Sequence, residues 1–239
     1  MVDHDADPTL SIDRVSVGYG GLPIVQDVSI QALRARITVL VGLNGAGKST
    51  LLKAIAGVLK PSSGRVLLNG EDITGKAPEV VLRKGVSYVP QVANVFPSLT
   101  VRENLEMGGY ILRSGLKEKI ENLCELFPDL KATLKQPAKN LSGGQRHMVA
   151  VARGLMVDPV ALLLDEPTAG LAPRFEEAVW ERIVIVARTG VALLVVDQNV
   201  RRALSHADWG YVLATGRKLT EGPGHKLLES DDVGNLYSA

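Results

Sequence analysis

The residues Gly42-Leu-Asn-Gly-Ala-Gly-Lys48-Ser49 satisfy every fixed position of the pattern GxxxxGK[ST]. Glycines here let successive backbone amides converge on one point, and a helix starting at the end of the loop adds the positive end of its dipole. The stretch is therefore built to hold phosphate oxygens. Asn44, Gly45, Ala46 and Gly47 form the cradle and Lys48 reaches the outer phosphates. The Ser49 hydroxyl is a ligand for Mg²⁺, and Thr50 is a further donor behind it. A second element, Ala161 to Leu164 followed by Asp165-Glu166, reads as a buried strand that delivers two carboxylates at its end. Asp165 is the metal-side carboxylate. Glu166 is the candidate general base, required because water alone is a weak nucleophile toward a phosphoryl group. Another glycine-rich turn, Leu141-Ser-Gly-Gly-Gln145, opens a helical pattern and has the form of a second phosphate cradle.

The elements that must position these groups are legible from periodicity. TVLVG, residues 38–42, is an uninterrupted apolar run suited to a strand covered on both faces, and Leu51, Leu52, Ile55 and Val58 recur at helical spacing after Lys48. That is the strand, loop and helix a phosphate cradle requires. VALLLDE and VALLVVDQ are two more buried strands, separated by a helix over 173–188 that Thr189-Gly190 stops. Before them, TLSIDRVSVGY alternates with one slip between Ile12 and Val15, and RVLLNGEDI turns at Asn69-Gly70, which predicts an antiparallel sheet. From Thr100 to about Val157 helices dominate. Thr100 and Glu103 form a capping-box pattern, and Leu116, Ile120, Leu123, Cys124 and Phe127 line one helical face, so Cys124 reads as core. WGYVLATGRKLTEG predicts a closing hairpin around Thr215-Gly216. The fold class is α/β, a parallel sheet flanked by helices, with an N-terminal antiparallel β subdomain and a helical subdomain at about 92–157. One domain over 8–235 follows an acidic tail, 1–7.

Composition narrows the function. With 239 residues, 46% of them hydrophobic, the chain can bury a large core. Its 27 basic and 26 acidic residues nearly cancel, so no whole-protein field holds it to nucleic acid or anionic lipid. Phosphate affinity must come from a local site. The single cysteine and the start MVDHDADPTL, acidic and without an apolar signal segment, point to the cytoplasm. No apolar run approaches the roughly 20 residues that span a bilayer. His4, His147, His206 and His225 lie too far apart for a local zinc pattern.

With LSGGQ beside the phosphate loop and the LLLDE strand, the chain resembles the nucleotide-binding subunit of ATP-binding cassette (ABC) transporters, an ATPase with the P-loop NTPase core. The resemblance implies ATP and Mg²⁺. It also implies that the signature loop of one subunit grips the γ-phosphate held by its partner, so that two chains pack head to tail around two nucleotides. Ser142 would donate its hydroxyl and Gly143 and Gly144 their amides, with Gln145 completing that set. Tyr19 matches the aromatic that stacks on adenine. Gln91 matches the glutamine that touches Mg²⁺ and the attacking water, beside the contact with the membrane subunit. Gln198 stands where the family at large has a histidine that senses the γ-phosphate; an amide still donates a hydrogen bond but cannot shuttle a proton near neutral pH. TAGLAP lacks the family's usual aspartate at Ala172, so the resemblance does not carry over the part of the cross-subunit contact made there. YVPQVANVFPSLTVRENL, ELFPDL, DEPTAGLAP and VVDQNVRRAL together look like the ATPase of branched-chain amino acid importers, a subgroup that includes urea and short-amide uptake systems. Its implied partners are two transmembrane permease subunits, a second ATPase subunit and, indirectly, a periplasmic or extracellular solute-binding protein, with the chain peripheral at the cytoplasmic face of the membrane. An exposed segment around Val95, Phe96, Pro97 and Leu99 is expected to receive a short permease helix. A nucleotide-operated clamp on nucleic acid or ribosomes is the competing reading, and the absence of a basic excess, a long coiled-coil insertion or a second cassette weighs against it.

Overall fold

The computed structural model describes residues 7–92, 94–230, 233 and 234, so all but the last residue of the acidic tail lies outside it. In chain order the elements are β1 Leu10–Tyr19, β2 Leu22–Ala32, β3 Ile37–Val41, α1 Lys48–Ile55, β4 Ser63–Leu68, β5 Glu71–Asp72, α2 Pro78–Lys84 and β6 Val86–Val89. These are followed by α3 Val101–Gly108, α4 Leu116–Leu126, α5 Pro128–Thr133, a short 3₁₀ turn at Ala138–Asn140, α6 Gly143–Leu155 and β7 Ala161–Asp165. The chain closes with α7 Pro173–Arg188, β8 Ala192–Asp197, α8 Val200–His206, β9 Trp209–Ala214, β10 Arg217–Gly222 and α9 Gly224–Leu228.

Two sheets result. The larger has the order β10-β9-β3-β8-β7-β6 and is parallel except at the β9–β10 edge; the smaller is antiparallel in the order β2-β1-β4-β5. Every residue of β3, β7 and β8 is buried, as their uninterrupted apolar runs require. Alternation survives inside those runs: Val39, Leu162, Leu164, Leu193 and Val195 face a core shared with α3 to α8, whereas Leu40, Leu163, Leu194 and Val196 face one shared with α1 and the antiparallel sheet. The central sheet is thus a partition between two apolar layers, and its strand ends emerge along one edge.

Local signals hold at the turns. Asn69 and Gly70 both take positive φ between Leu68 and its partner Glu71, and Thr215 and Gly216 do the same between Ala214 and Arg217, the conformation of a two-residue hairpin. The slip between Ile12 and Val15 is a register shift in the β1–β2 pairing. Thr100 caps α3 with a complete capping box. Two helix expectations are corrected. α1 ends at Ile55 because Gly57 turns left-handed at φ 77°, so Val58 is exposed. α4 ends at Leu126 because Pro128 cannot continue it; Phe127 is buried as the joint between α4 and α5. No helix among the described residues is long and apolar enough to cross a membrane.

Candidate functional site

β3 runs into the phosphate loop at a point of close approach. A Cβ on Gly42 would stand 2.2 Å from the Leu213 carbonyl oxygen, so only glycine lets the strand leave the sheet here. At the other end of the loop Gly47, with φ 101°, is the N-cap of α1 and leaves that helix's first amides free of any side-chain cap. Those orphan donors, together with the helix dipole, are what an anion would satisfy. Lys48 is buried and its Nζ donates to the carbonyl oxygens of Gly42 (2.7 Å) and Leu43 (3.1 Å), spanning the loop from inside. Burial pushes its pKa down, while Glu166, Asp165 and Asp197 pull it back up. Thr50 is buried behind it, and Asn44 and Gly45 are exposed on the loop's rim.

The parallel sheet brings the other groups to the same edge. Asp165, the last residue of β7, accepts from the Ser49 hydroxyl on one oxygen (2.8 Å) and from the Tyr88 phenol of β6 on the other (3.0 Å). Glu166 follows with φ 49° and 8% exposure, its amide donating to the Val196 carbonyl at 2.8 Å. A left-handed glutamate is a local cost, retained because the turn aims its carboxylate out of the strand line. Gln91, two residues past β6, donates from Nε2 to Glu166 at 2.6 Å. Burial raises the Glu166 pKa above the ordinary glutamate value, with Asp165 and Asp197 adding to the rise, while Lys48 and the Gln91 hydrogen bond act against it. Lys48, Ser49, Gln91, Asp165 and Glu166 therefore form one continuous centre, although they come from three widely separated stretches of chain.

The second cradle stands apart. Ser142 is the N-cap of α6: its oxygen accepts from the Gln145 amide (3.3 Å), and its own amide donates to the Gln145 side chain (2.9 Å). The Gln145 Oε1 is thus engaged in a capping box, because Gln at the third helical position returns to the cap amide, while its amide nitrogen keeps its donors. Gly143 and Gly144 lie in the first turn, facing Leu171 and Phe175 of the segment after Glu166. Among the described residues, no hydrogen bond or ion pair joins Leu141–Gln145 to the phosphate loop or to Asp165 and Glu166. Tyr19 is 46% exposed at the tip of the β1–β2 hairpin, and Gln198 is exposed just past β8, neither bonded to the centre. Val95, expected on the surface, is buried at 7% in the helical-side core; Phe96 and Pro97 are exposed and Leu99 is partly so. Asn104 explains the fold-back, since it accepts from the Phe96 amide and donates to the Phe96 carbonyl, turning the chain inward at Val95.

Three residues of the site escaped the sequence reading. Tyr88 is a half-buried residue of a short strand, and nothing in the strand's local pattern points to its partner. Asp197 and Thr168, both buried, share a 2.7 Å hydrogen bond that ties the end of β8 to the turn after Glu166. The signal for the last pair was present in VVDQ, where a carboxylate ends an apolar strand.

Hydroxyl, carboxylate and amide oxygens suit a hard cation such as Mg²⁺, which keeps several waters and takes phosphate oxygens as further ligands. With Gln91 Nε2 engaged by Glu166, its amide oxygen is the atom left to offer. No group of three or more His, Cys, Asp or Glu side chains that could hold a metal exists among the described residues. The residues here that could hold such a cation are Ser49 and Asp165, with Gln91 beside them on Glu166.

Fold and loop together define a P-loop nucleoside triphosphatase. Residues 25–169 match the family model described as ABC transporter. The chain is 40% identical over 229 residues to the high-affinity branched-chain amino acid transport ATP-binding protein BraG of Pseudomonas aeruginosa, covering 95% of this chain and 98% of that one. It is 41% identical to the probable branched-chain amino acid transport ATP-binding protein LivF of Archaeoglobus fulgidus, covering 93% and 95%. It superposes on the crystal structure of an ABC transporter's ATP-binding cassette in its ADP conformation with a TM-score of 0.87, at 28% identity, covering 98% of this chain and 100% of the other. The chain belongs to the ABC transporter family, as an ATP-binding cassette whose ATP hydrolysis is coupled to transport.

Proposed function

We propose that this chain is the ATPase subunit of an importer for branched-chain amino acids or similar small solutes, seated at the cytoplasmic face of a membrane on two permease subunits. A second ATPase subunit closes head to tail on it, and a solute-binding protein delivers cargo to the permease. The observation that carries the reading is the division of the site: the phosphate loop, metal-side carboxylate and base form one centre joined by the Ser49–Asp165 and Gln91–Glu166 bonds, while the second phosphate cradle at Ser142 stands outside it, available to a neighbouring subunit. Relatives named for branched-chain amino acid transport support the solute class.

The residues present perform the reaction as follows. The loop amides and Lys48 bind the triphosphate tail, and Lys48 exchanges its carbonyl partners for phosphate oxygens. Mg²⁺, held by Ser49, Asp165 and Gln91, would neutralise charge on the phosphates. Glu166 accepts the proton of the attacking water, its raised pKa keeping it basic enough to do so. Gln91 holds the Glu166 carboxylate in position, and Gln198 donates to the departing phosphate. Tyr19 offers an exposed ring for the adenine. Ser142, Gly143 and Gly144 of the facing subunit grip the γ-phosphate. Hydrogen bonds to charged groups contribute about 1.5 to 3 kcal/mol each, so two to four of them supply the roughly 5.5 kcal/mol that turns a 1:99 open population into 99:1 closed. Hydrolysis removes the bridging phosphate and the subunits part.

The permease has a receptive surface. A cavity of about 360 Å³ lies between the core and the α3–α6 side, walled by Leu82, Tyr88, Phe96, Met107, Tyr110 and Arg153. Phe96, Met107 and Tyr110 are exposed apolar groups there, suited to a short apolar helix.

One experiment tests the shared site. Glu166→Gln should bind ATP, lose most turnover and accumulate as an ATP-dependent dimer on size-exclusion chromatography, and adding Ser142→Arg should return it to monomers that still bind one nucleotide each. A double variant that remains dimeric in ATP would refute the trans role of the signature loop.

A further inference from the structure

We propose that Tyr88 is a positioning residue for the metal-side carboxylate, an inference that rests on the reading of Asp165 as a ligand of the nucleotide's Mg²⁺. Asp165 is 4% exposed and receives two hydroxyl donors, one on each oxygen. They differ in kind. Ser49 begins α1 at the phosphate loop, and its hydroxyl is itself a ligand the cation claims, so the Ser49 bond must adjust when metal and nucleotide arrive. The Tyr88 phenol comes from β6, hydrogen-bonded in register beside β7 with Tyr88 paired to Leu163, and a half-buried ring on a sheet strand has no reason to move. One oxygen of Asp165 is thereby fixed at 3.0 Å, while the other, bonded to Ser49, is the one that turns to the cation when that bond adjusts.

Tyr88 also lines the 360 Å³ groove beside Phe96 and Met107. It thus borders the surface proposed to receive the permease and holds the metal-side carboxylate with its hydroxyl. Gln91, three residues on, reaches Glu166 from the same strand end, so β6 orients both carboxylates of the reaction.

Groups that hydrogen-bond to metal ligands typically change metal affinity about 10- to 100-fold when removed. The test uses Tyr88→Phe, which deletes the hydroxyl and keeps the ring, with Asp165→Asn as the check on the underlying reading. Mn²⁺ binding at saturating ATP is followed by the electron paramagnetic resonance signal of free Mn²⁺, alongside ATP binding in EDTA and thermal unfolding. Tyr88→Phe should weaken Mn²⁺ binding by about 10-fold or more, leave ATP binding in EDTA within twofold of the parent, and unfold cooperatively. Weakened Mn²⁺ binding in Asp165→Asn with unchanged binding in Tyr88→Phe would overturn the positioning role alone. Unchanged binding in Asp165→Asn would overturn the assignment of Asp165 as a ligand, and Tyr88's role with it. An equal loss of metal-free ATP binding in Tyr88→Phe would also overturn the proposal, since it would mark a general distortion of the site.

Discussion

Replacing Thr168 by Val removes one hydroxyl from a buried pair and keeps the shape of the side chain. Asp197 is 1% exposed; one of its oxygens accepts from Thr168 at 2.7 Å and the other from the Asn199 amide at 2.8 Å. In Thr168→Val the first oxygen loses its side-chain donor in a place water does not reach. A hydrogen bond to a charged group is worth about 1.5 to 3 kcal/mol, and for a chain of this size each kcal/mol shifts the unfolding midpoint by about 2 to 4 °C, giving a loss of about 3 to 12 °C. The loss should depend on pH. Burial raises the Asp197 pKa above the ordinary 3.8 and the Thr168 bond opposes that rise. A raised acid contributes its stability below the unfolded pKa and loses it as pH climbs through the folded one. Without Thr168 the folded pKa climbs further, so the variant should lose more stability at pH 8 than at pH 5. Urea unfolding of both proteins at the two pH values measures this. A loss below about 0.5 kcal/mol, the range of neutral surface changes, or one equal at both pH values, would refute the claim that an ionised, desolvated Asp197 anchors the turn after Glu166.

Two further expectations concern the site and its partner. With Glu166 as the proposed base and its pKa raised, kcat should fall with falling pH at an acid limb above the ordinary glutamate value; Gln91→Leu, which deletes a bond that lowers the Glu166 pKa, should move that limb to higher pH. A limb that stays put in kcat measured at saturating nucleotide and metal would remove Gln91 from that role. A photocrosslinker at position 96 should label a co-expressed permease, and labelling that persists when the groove residue Met107 is made Arg would place the contact elsewhere.

Much of the fold was legible because its signals are local. A positive φ at Asn69-Gly70, a capping box at Thr100 and an apolar run at 191–196 depend on a few neighbouring residues, and each yields a turn, a helix start or a buried strand. The misreadings share one cause. Val58, Val95 and Phe127 are apolar residues at the edge of a periodic pattern, where a left-handed glycine, an asparagine bonded to the next residue's backbone or a following proline decides between burial, exposure and a helix end.

By itself the sequence determined which chemistry is present: a phosphate loop, a lysine, two adjacent carboxylates and a separate glycine cradle, since each motif is contiguous and its residue types fix what it can bind. Tertiary structure decided how those pieces address one another. Sheet order sets Tyr88 against Asp165, Gln91 against Glu166 and Thr168 against Asp197, pairs separated by 77, 75 and 29 residues. No local pattern encodes such pairs, because which side chains meet at a sheet's edge depends on the strands lying side by side, and that order is settled by the packing of the whole core.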